Sequence, residues 1–312
     1  MPATPICRLA LAAAVVLFAA FRPAPVSAQT MLRTDGDSCR TELKLLGGLI
    51  HASTDSAGLR PFASNCIASN LHVKAGGIEI TAAKLSWNRG AIRALSQGEM
   101  PARLVLDLQG GRLAATPAAE PFARALAGPA GGSGPGRQGR SFSAVLHLSH
   151  EAESRRLRLE SAGIRFGGGA GLAISADLSG AGALLASRPE IGALGLGIER
   201  LDLEMTAPPG TRHPLLDAIL AAAAANNPGF DEKGLKGEAG RFLRTRMAGA
   251  LTQQELRAAL AFLEDAPRLA RPLHIGVQSD AGLALTRLTA FNGSATGEDI
   301  LAGSTITLEY GH

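Results

Sequence analysis

Along residues 141–206 apolar and polar side chains alternate with a period of two. Phe142, Ala144, Leu146 and Leu148 share one parity, and Ser143, His147 and Ser149 the other. Leu157 and Leu159 alternate with Arg156, Arg158 and Glu160, and Leu172, Ile174, Ala176 and Leu178 resume the pattern after a glycine cluster. Leu201, Leu203 and Met205 then alternate with Asp202, Glu204 and Thr206. Successive side chains of a strand point to opposite faces, so this spacing predicts a sheet that is apolar on one face and polar on the other. Residues 71–87 predict a hairpin about Gly76-Gly77, with Leu71, Val73 and Ala75 before the turn and Ile78 and Ile80 after it. The parity slips between Ala82 and Ala83, ahead of Leu85 and Trp87, and again near Ala162-Gly163, ahead of Ile164 and Phe166. A β-bulge produces such a slip. Leu104, Leu106 and Leu108 predict a strand over 103–108, and further strands are expected at 273–277, 283–288 and 305–310.

Between strands the period changes. A short helix is expected over 117–127, with Thr116 as cap, Pro117 in the first turn and Gly128 as stop. Residues 128–140 (GPAGGSGPGRQGR) have the composition of a flexible link. The strands on its two sides are alike in character, so it reads as a loop within one domain. After Pro208-Pro209-Gly210, three helices are predicted within 211–267. The first covers 214–225 with Leu215, Leu216, Ile219 and Leu220 on one face, and the second 231–251 with Leu235, Ala239, Phe242, Leu243 and Met247. Thr252 and Glu255 form a capping box for the third, which carries Leu256, Ala259, Leu260 and Leu263 and is closed by Pro267. Residues 41–50 fit a helix or a strand. The fold class is therefore α+β, mainly β: a curved antiparallel sheet of about ten strands with a three-helix insertion packed on its apolar face.

Residues 1–28 have the form of a secretory signal: Arg8, an apolar run over 9–21, and Val26-Ser27-Ala28 as a cleavage site. That run is too short for a membrane span, and no later segment is long and apolar enough for one. Of the formal charge of +4, two arginines lie in that segment, so the rest carries about +2. Basic residues are interleaved with acids, and there is one Trp and one Tyr, which excludes the concentrated cationic and stacking surface of a nucleic-acid binder. Cys39 and Cys66 remain as an even pair, which in an exported protein predicts a disulfide. His51 and His72 are isolated and supply no metal site with them.

No motif carries catalysis. His147 and His150 lie three apart on a strand, hence on opposite faces, and are expected to face solvent. The glycines of 166–171 are followed by an alternating strand instead of a helix with Lys-Ser/Thr, so they read as a hairpin turn. Gly192–Gly197 lacks the strand-then-helix setting of a dinucleotide loop. There is no Gly-x-Ser-x-Gly elbow. The chain reads as non-enzymatic, with no cofactor and no metal. The apolar face is more informative. The three helices offer about ten large apolar residues against about ten strands, too few to cover it; the alternative is a sheet that curls on itself into an ordinary core. Leu, Ile and Ala dominate that face, a lining suited to flexible acyl chains more than to flat rings.

The repeated segments Ile78-Glu-Ile-Thr-Ala-Ala-Lys-Leu85, Leu157-Arg-Leu-Glu-Ser-Ala-Gly-Ile164 and Ile198-Glu-Arg-Leu-Asp-Leu-Glu-Met205, joined by Gly-rich turns in an exported chain, resemble the β-rich periplasmic proteins of Gram-negative envelopes, AsmA-like proteins among them. The resemblance implies residence in the cell envelope and contact with lipid. Two functions follow as expectations. The first is a periplasmic protein that binds or shields a lipid or other apolar ligand, lined by Leu146, Leu148, Leu157, Leu159, Ile174, Leu178, Leu201 and Leu203, with Phe242 and Leu260 from the helical cover. The second is a structural or adaptor protein that holds an envelope protein partner.

Overall fold

The computed structural model describes residues 35–116, 119–128, 139–180, 196–227, 229, 231–284, 286–287 and 296–311. The signal-like segment, the centre of the Gly-rich link and most of the 192–197 glycine run lie outside these residues. Ten strands form one antiparallel sheet in which sequence order is spatial order, from β1 at one edge to β10 at the other. They are β1 (Ser53–Phe62), β2 (Asn65–Ala75), β3 (Ile78–Asn88), β4 (Arg103–Ala115), β5 (Arg140–Glu151), β6 (Arg156–Phe166), β7 (Gly171–Ser179), β8 (Gly197–Thr206), β9 (Leu273–Ala284) and β10 (Ser304–Tyr310). The sheet is open and not strongly curled, which corrects the expectation of a curved sheet: its two edges remain apart, and its apolar face is covered by helices instead of by itself.

Among the described residues there are seven helices, more than the helical insertion and the one short helix expected: α1 (Asp35–Leu49), α2 (Ala91–Ser96), α3 (Pro121–Ala127), α4 (Pro214–Asn226), α5 (Glu232–Arg246), α6 (Gln253–Asp265) and α7 (Gly297–Leu301). The segment 41–50 resolves as part of α1, whose Cys39, Leu43, Leu46 and Leu49 are buried at helical spacing. The helix predicted from Pro117 starts at Pro121, which occupies its first turn with Glu120 as N-cap. The helix predicted to reach 251 ends at Arg246, with Met247 as its C-cap. Thr252 and Glu255 do form the predicted capping box of α6. Of the strand expected at 283–288, Leu283 and Ala284 are the end of β9, residues 286–287 are helical, and residues 285 and 288 lie outside the described residues.

The expected bulge at Ala82–Ala83 takes another form. Ala57, Asn70, Ala83 and Gly110 interrupt the pairing of β1–β4 at one level, while the register on either side is unchanged. Asn70 (φ 50) and Gly110 (φ 61) take left-handed backbone there. A Cβ on Gly110 would lie 2.8 Å from that of Ala83, so glycine is required. The parity changes in neighbouring strands together, and apolar side chains stay on one face. The second slip is a true register shift, between Leu159 and Ala162.

All the helices whose side chains join the core do so on that apolar face. One cluster runs from Cys39, Leu43 and Leu46 of α1 through Trp87, Leu104, Leu148, Leu157 and Leu178 to Ile300 and Leu301 of α7. A second gathers Met205, Leu273 and Tyr310 with Leu216 of α4 and Phe262 of α6. The Tyr310 hydroxyl donates to Asp265 Oδ2 (2.6 Å) and accepts from the Ala270 N–H (3.0 Å), tying the helical insertion to the last strand. The opposite face carries cross-strand ion pairs, Arg158–Asp177 at 2.8 Å and Arg156–Glu199 at 3.2 Å, beside Arg200–Asp202 at 2.7 Å within β8.

Candidate functional site

The register brings eight of the ten predicted lining residues onto adjacent rungs of the apolar face. Leu148 pairs with Leu159, Leu159 with Ala176, and Ala176 with Leu201. One rung over, Leu146 pairs with Ala162, which faces Ile174, and Ile174 faces Leu203. Leu157 pairs with Leu178. Their surroundings differ. Leu157 is 1% exposed and Leu178 and Leu148 are also buried, so these three are core. Leu146, Leu159, Ile174, Leu201 and Leu203 are half-buried. From the helices, Phe242 packs against the large cluster, whereas Leu260 lies beside Gly240, between α5 and α6.

The half-buried positions continue beyond those predicted. Leu106 of β4 pairs with Leu146, and on the other side Leu201 pairs with Val277 and Val277 with Ile306. Leu106 and Leu146 on one rung, and Leu159, Leu201, Val277 and Ile306 on the next with the buried Ala176 between Leu159 and Leu201, thus form an aliphatic strip two rungs wide across the sheet, each partly buried against the large cluster. Leu106 was legible as a strand residue, but only the strand order reveals that it borders Leu146. Close helix-on-sheet packing is found for α1 on β1 and β2, α2 beside β3 and β4, α3 on β4 and α6 on β10. Phe242 and Leu243 of α5 and Leu256 of α6 pack partly buried against the same large cluster.

Two surface hollows lie elsewhere. One, of about 490 Å³, is lined by Ser64, Asn65, Asn88, Arg89, Arg103 and Val105. The other, of about 290 Å³, lies over the parity line at Asn70, Ala83 and Gly110. Neither includes a predicted lining residue.

Cys39 and Cys66 form the expected disulfide, with 5.6 Å between Cα atoms. Beside it Glu42, 1% exposed, accepts from Trp87 Nε1 (2.9 Å) and from the Gly90 N–H (2.8 Å). Sequence reading missed this carboxylate; a glutamate among the apolar positions of an amphipathic helix was its only signal. His147 and His150 are both half-buried; the register puts His147 on the polar face opposite Val105, as expected of a solvent-facing residue, and His150 on the apolar face opposite Leu157. Among the described residues no group of three or more His, Cys, Asp or Glu side chains is arranged to hold a metal ion, and no helix is long and apolar enough to cross a membrane.

Fold and site together define an α+β protein in which a ten-stranded antiparallel meander is covered by helices on its apolar face. No protein-family model matches the chain, and no curated protein matches it.

Proposed function

We propose that this is a non-enzymatic protein of the bacterial cell envelope, exported to the periplasm, that binds or shields an acyl chain or other apolar ligand on the aliphatic strip. The observation that carries this reading is the strip itself: six aliphatic side chains on β4, β5, β6, β8, β9 and β10, half-buried, on a sheet whose close helix packing among the described residues falls on β1–β4 at one end and on β10 at the other. A one-sided sheet stabilises itself by covering its apolar face, and flexible aliphatic side chains match an acyl chain in shape and chemistry. The disulfide is compatible with an oxidising compartment. The likeness to AsmA-like envelope proteins points the same way.

Native mass spectrometry of protein purified from its source tests the proposal. Co-purification of a mass matching a lipid or fatty acid is the expected result. An empty, monodisperse protein overturns it and favours the adaptor role.

A further inference from the structure

The helices α4, α5 and α6 leave the sheet after β8 and return to it before β9 through one stem. Arg212 and Arg268 form an antiparallel bridge across this stem. The His213 N–H donates to the Pro267 carbonyl (2.8 Å), and the Gly210 N–H to the Leu269 carbonyl (3.3 Å). The two ends of the insertion are thus held together before α4 begins and just after α6 ends. The side chain of His213 fastens the stem to the sheet. Its Nε2 lies 3.1 Å from the carbonyl of Gly171, the first residue of β7, and its ring meets that of Phe166, the last residue of β6, edge-on. The imidazole is 0% exposed, and its Nδ1 has no partner. Asp217, in the first turn of α4, is held by Arg212 at 2.6 Å. Arg140, at the start of β5, stands over the Phe166 ring 5.8 Å from its centroid, and its buried Nη1 also has no partner. Three arginines and one carboxylate, itself engaged, therefore lie at a stem pinned by a buried neutral ring.

We propose that His213 is an acid-sensitive latch: its protonation releases α4, α5 and α6 from the sheet as a unit and bares the apolar positions beneath them. The proton comes from solvent and adds to the lone pair of Nδ1, so both ring nitrogens become donors where the neutral ring needed one acceptor, the Gly171 carbonyl. The new charge is buried beside Arg140, while Asp217, the carboxylate that would favour it, is already paired. A buried charge without a partner is strongly unfavourable, and opening relieves it by hydrating the imidazolium. The insertion is built to open apart from the strands, because its other hydrogen-bonded tie, the Tyr310 hydroxyl with Asp265 and the Ala270 N–H, also sits at the stem end of α6. The surface it bares is the second apolar cluster, where Leu216 of α4 and Phe262 of α6 pack with Met205, Leu273 and Tyr310. α3, which packs on α4, loses that contact in the open form. This inference stands apart from the aliphatic strip: the latch works whether or not the strip carries a ligand.

Amide hydrogen exchange resolved by peptide, at pH 7 and pH 5 and corrected for the intrinsic pH dependence of exchange, tests it. Amides of α4, α5 and α6 are expected to exchange ahead of those of β5–β8 at both pH values. Their protection is expected to fall about twentyfold at pH 5, the ratio for an open form that titrates at the ordinary value of about 6.5 and a closed form that stays neutral. His213→Gln keeps an N–H for Gly171 and His213→Phe keeps a ring against Phe166; neither titrates, and each is expected to abolish the fall. A melting temperature at pH 7 close to that of the parent identifies the variant that folds. On the parent itself, an environment-sensitive apolar dye is expected to gain emission at pH 5 as the Leu216–Phe262 cluster opens. Exchange in the three helices no faster than in the strands at pH 5, an undiminished fall in a folded His213 variant, or no gain in dye emission overturns the proposal.

Discussion

His213 is fully buried where α4 begins, with its Nε2 3.1 Å from the Gly171 carbonyl and its ring edge-on to Phe166. The carbonyl must accept, so the neutral ring carries its proton on Nε2, and Nδ1 is left without a partner. Burial pushes the imidazole below its ordinary value; the Gly171 carbonyl and Asp217 oppose that, and Arg140 reinforces it. Asp217 is itself engaged by Arg212 at 2.6 Å. A histidine with a lowered folded pKa contributes stability that is fully present above the unfolded value of about 6.5 and lost as pH falls below it, because the unfolded chain then binds the extra proton. The melting temperature is therefore expected to drop between pH 7 and 5 more steeply for the parent than for His213→Gln, which keeps an N–H for Gly171 but does not titrate. Parallel profiles would show that His213 does not carry the acid sensitivity. Glu42 is the second buried group with a distinct job. Glu42→Ala leaves the Trp87 indole N–H unpartnered in the core, and is expected to cost about 2–3 kcal/mol in chemical denaturation. Trp87 is the chain's one tryptophan, so its emission reports the loosened corner directly.

At the scale of elements, α1 is a helix fastened at several points to the edge of the sheet. The disulfide joins it to β2, Glu42 joins it to the end of β3, and the Thr54 hydroxyl donates to the Leu43 carbonyl at 3.1 Å. Closing a loop with a sequence separation of 27 stabilises the fold by about 3–4 kcal/mol through the entropy of the unfolded chain. Reduction under native conditions is expected to lower the unfolding free energy by that amount and to raise amide exchange in α1 ahead of the sheet; uniform exchange would place α1 in the same cooperative unit as the strands. The elements most legible in the sequence were those with a local signal. The alternation of β5–β8, the glycine turn before β3 and the Thr252–Glu255 box needed no distant partner. The short helices α2 and α7 were not legible, because five or six residues carry too little periodicity and their burial depends on what the sheet offers them. β1 was missed for a related reason: as an edge strand rich in Ser, Thr, Asp and Arg it shows no apolar stripe, and pairing with β2 makes it a strand.

For the molecule as a whole, Leu157 and Leu159 lie two residues apart on the same face of one strand but in different surroundings, one in the core and the other on the strip. Leu157→Asp puts a charge where nothing can pair with it and is expected to unfold the protein, at a cost above about 4 kcal/mol. Leu159→Asp is expected to fold, with a smaller loss of stability, and to lose the acyl mass in native mass spectrometry. Equal collapse of both variants would make the strip ordinary core. The sequence by itself determined the one-sided character of the sheet, the disulfide pair and the helical trio, because strand and helix periods are written into neighbouring residues and need no knowledge of what lies across from them. Only the tertiary structure decided that the meander stays open, that the parity slips of neighbouring strands align, and that Leu106, Val277 and Ile306 complete the strip. Each of these depends on strand order and register, which follow from the free energy of pairing distant segments and leave no local mark on the chain.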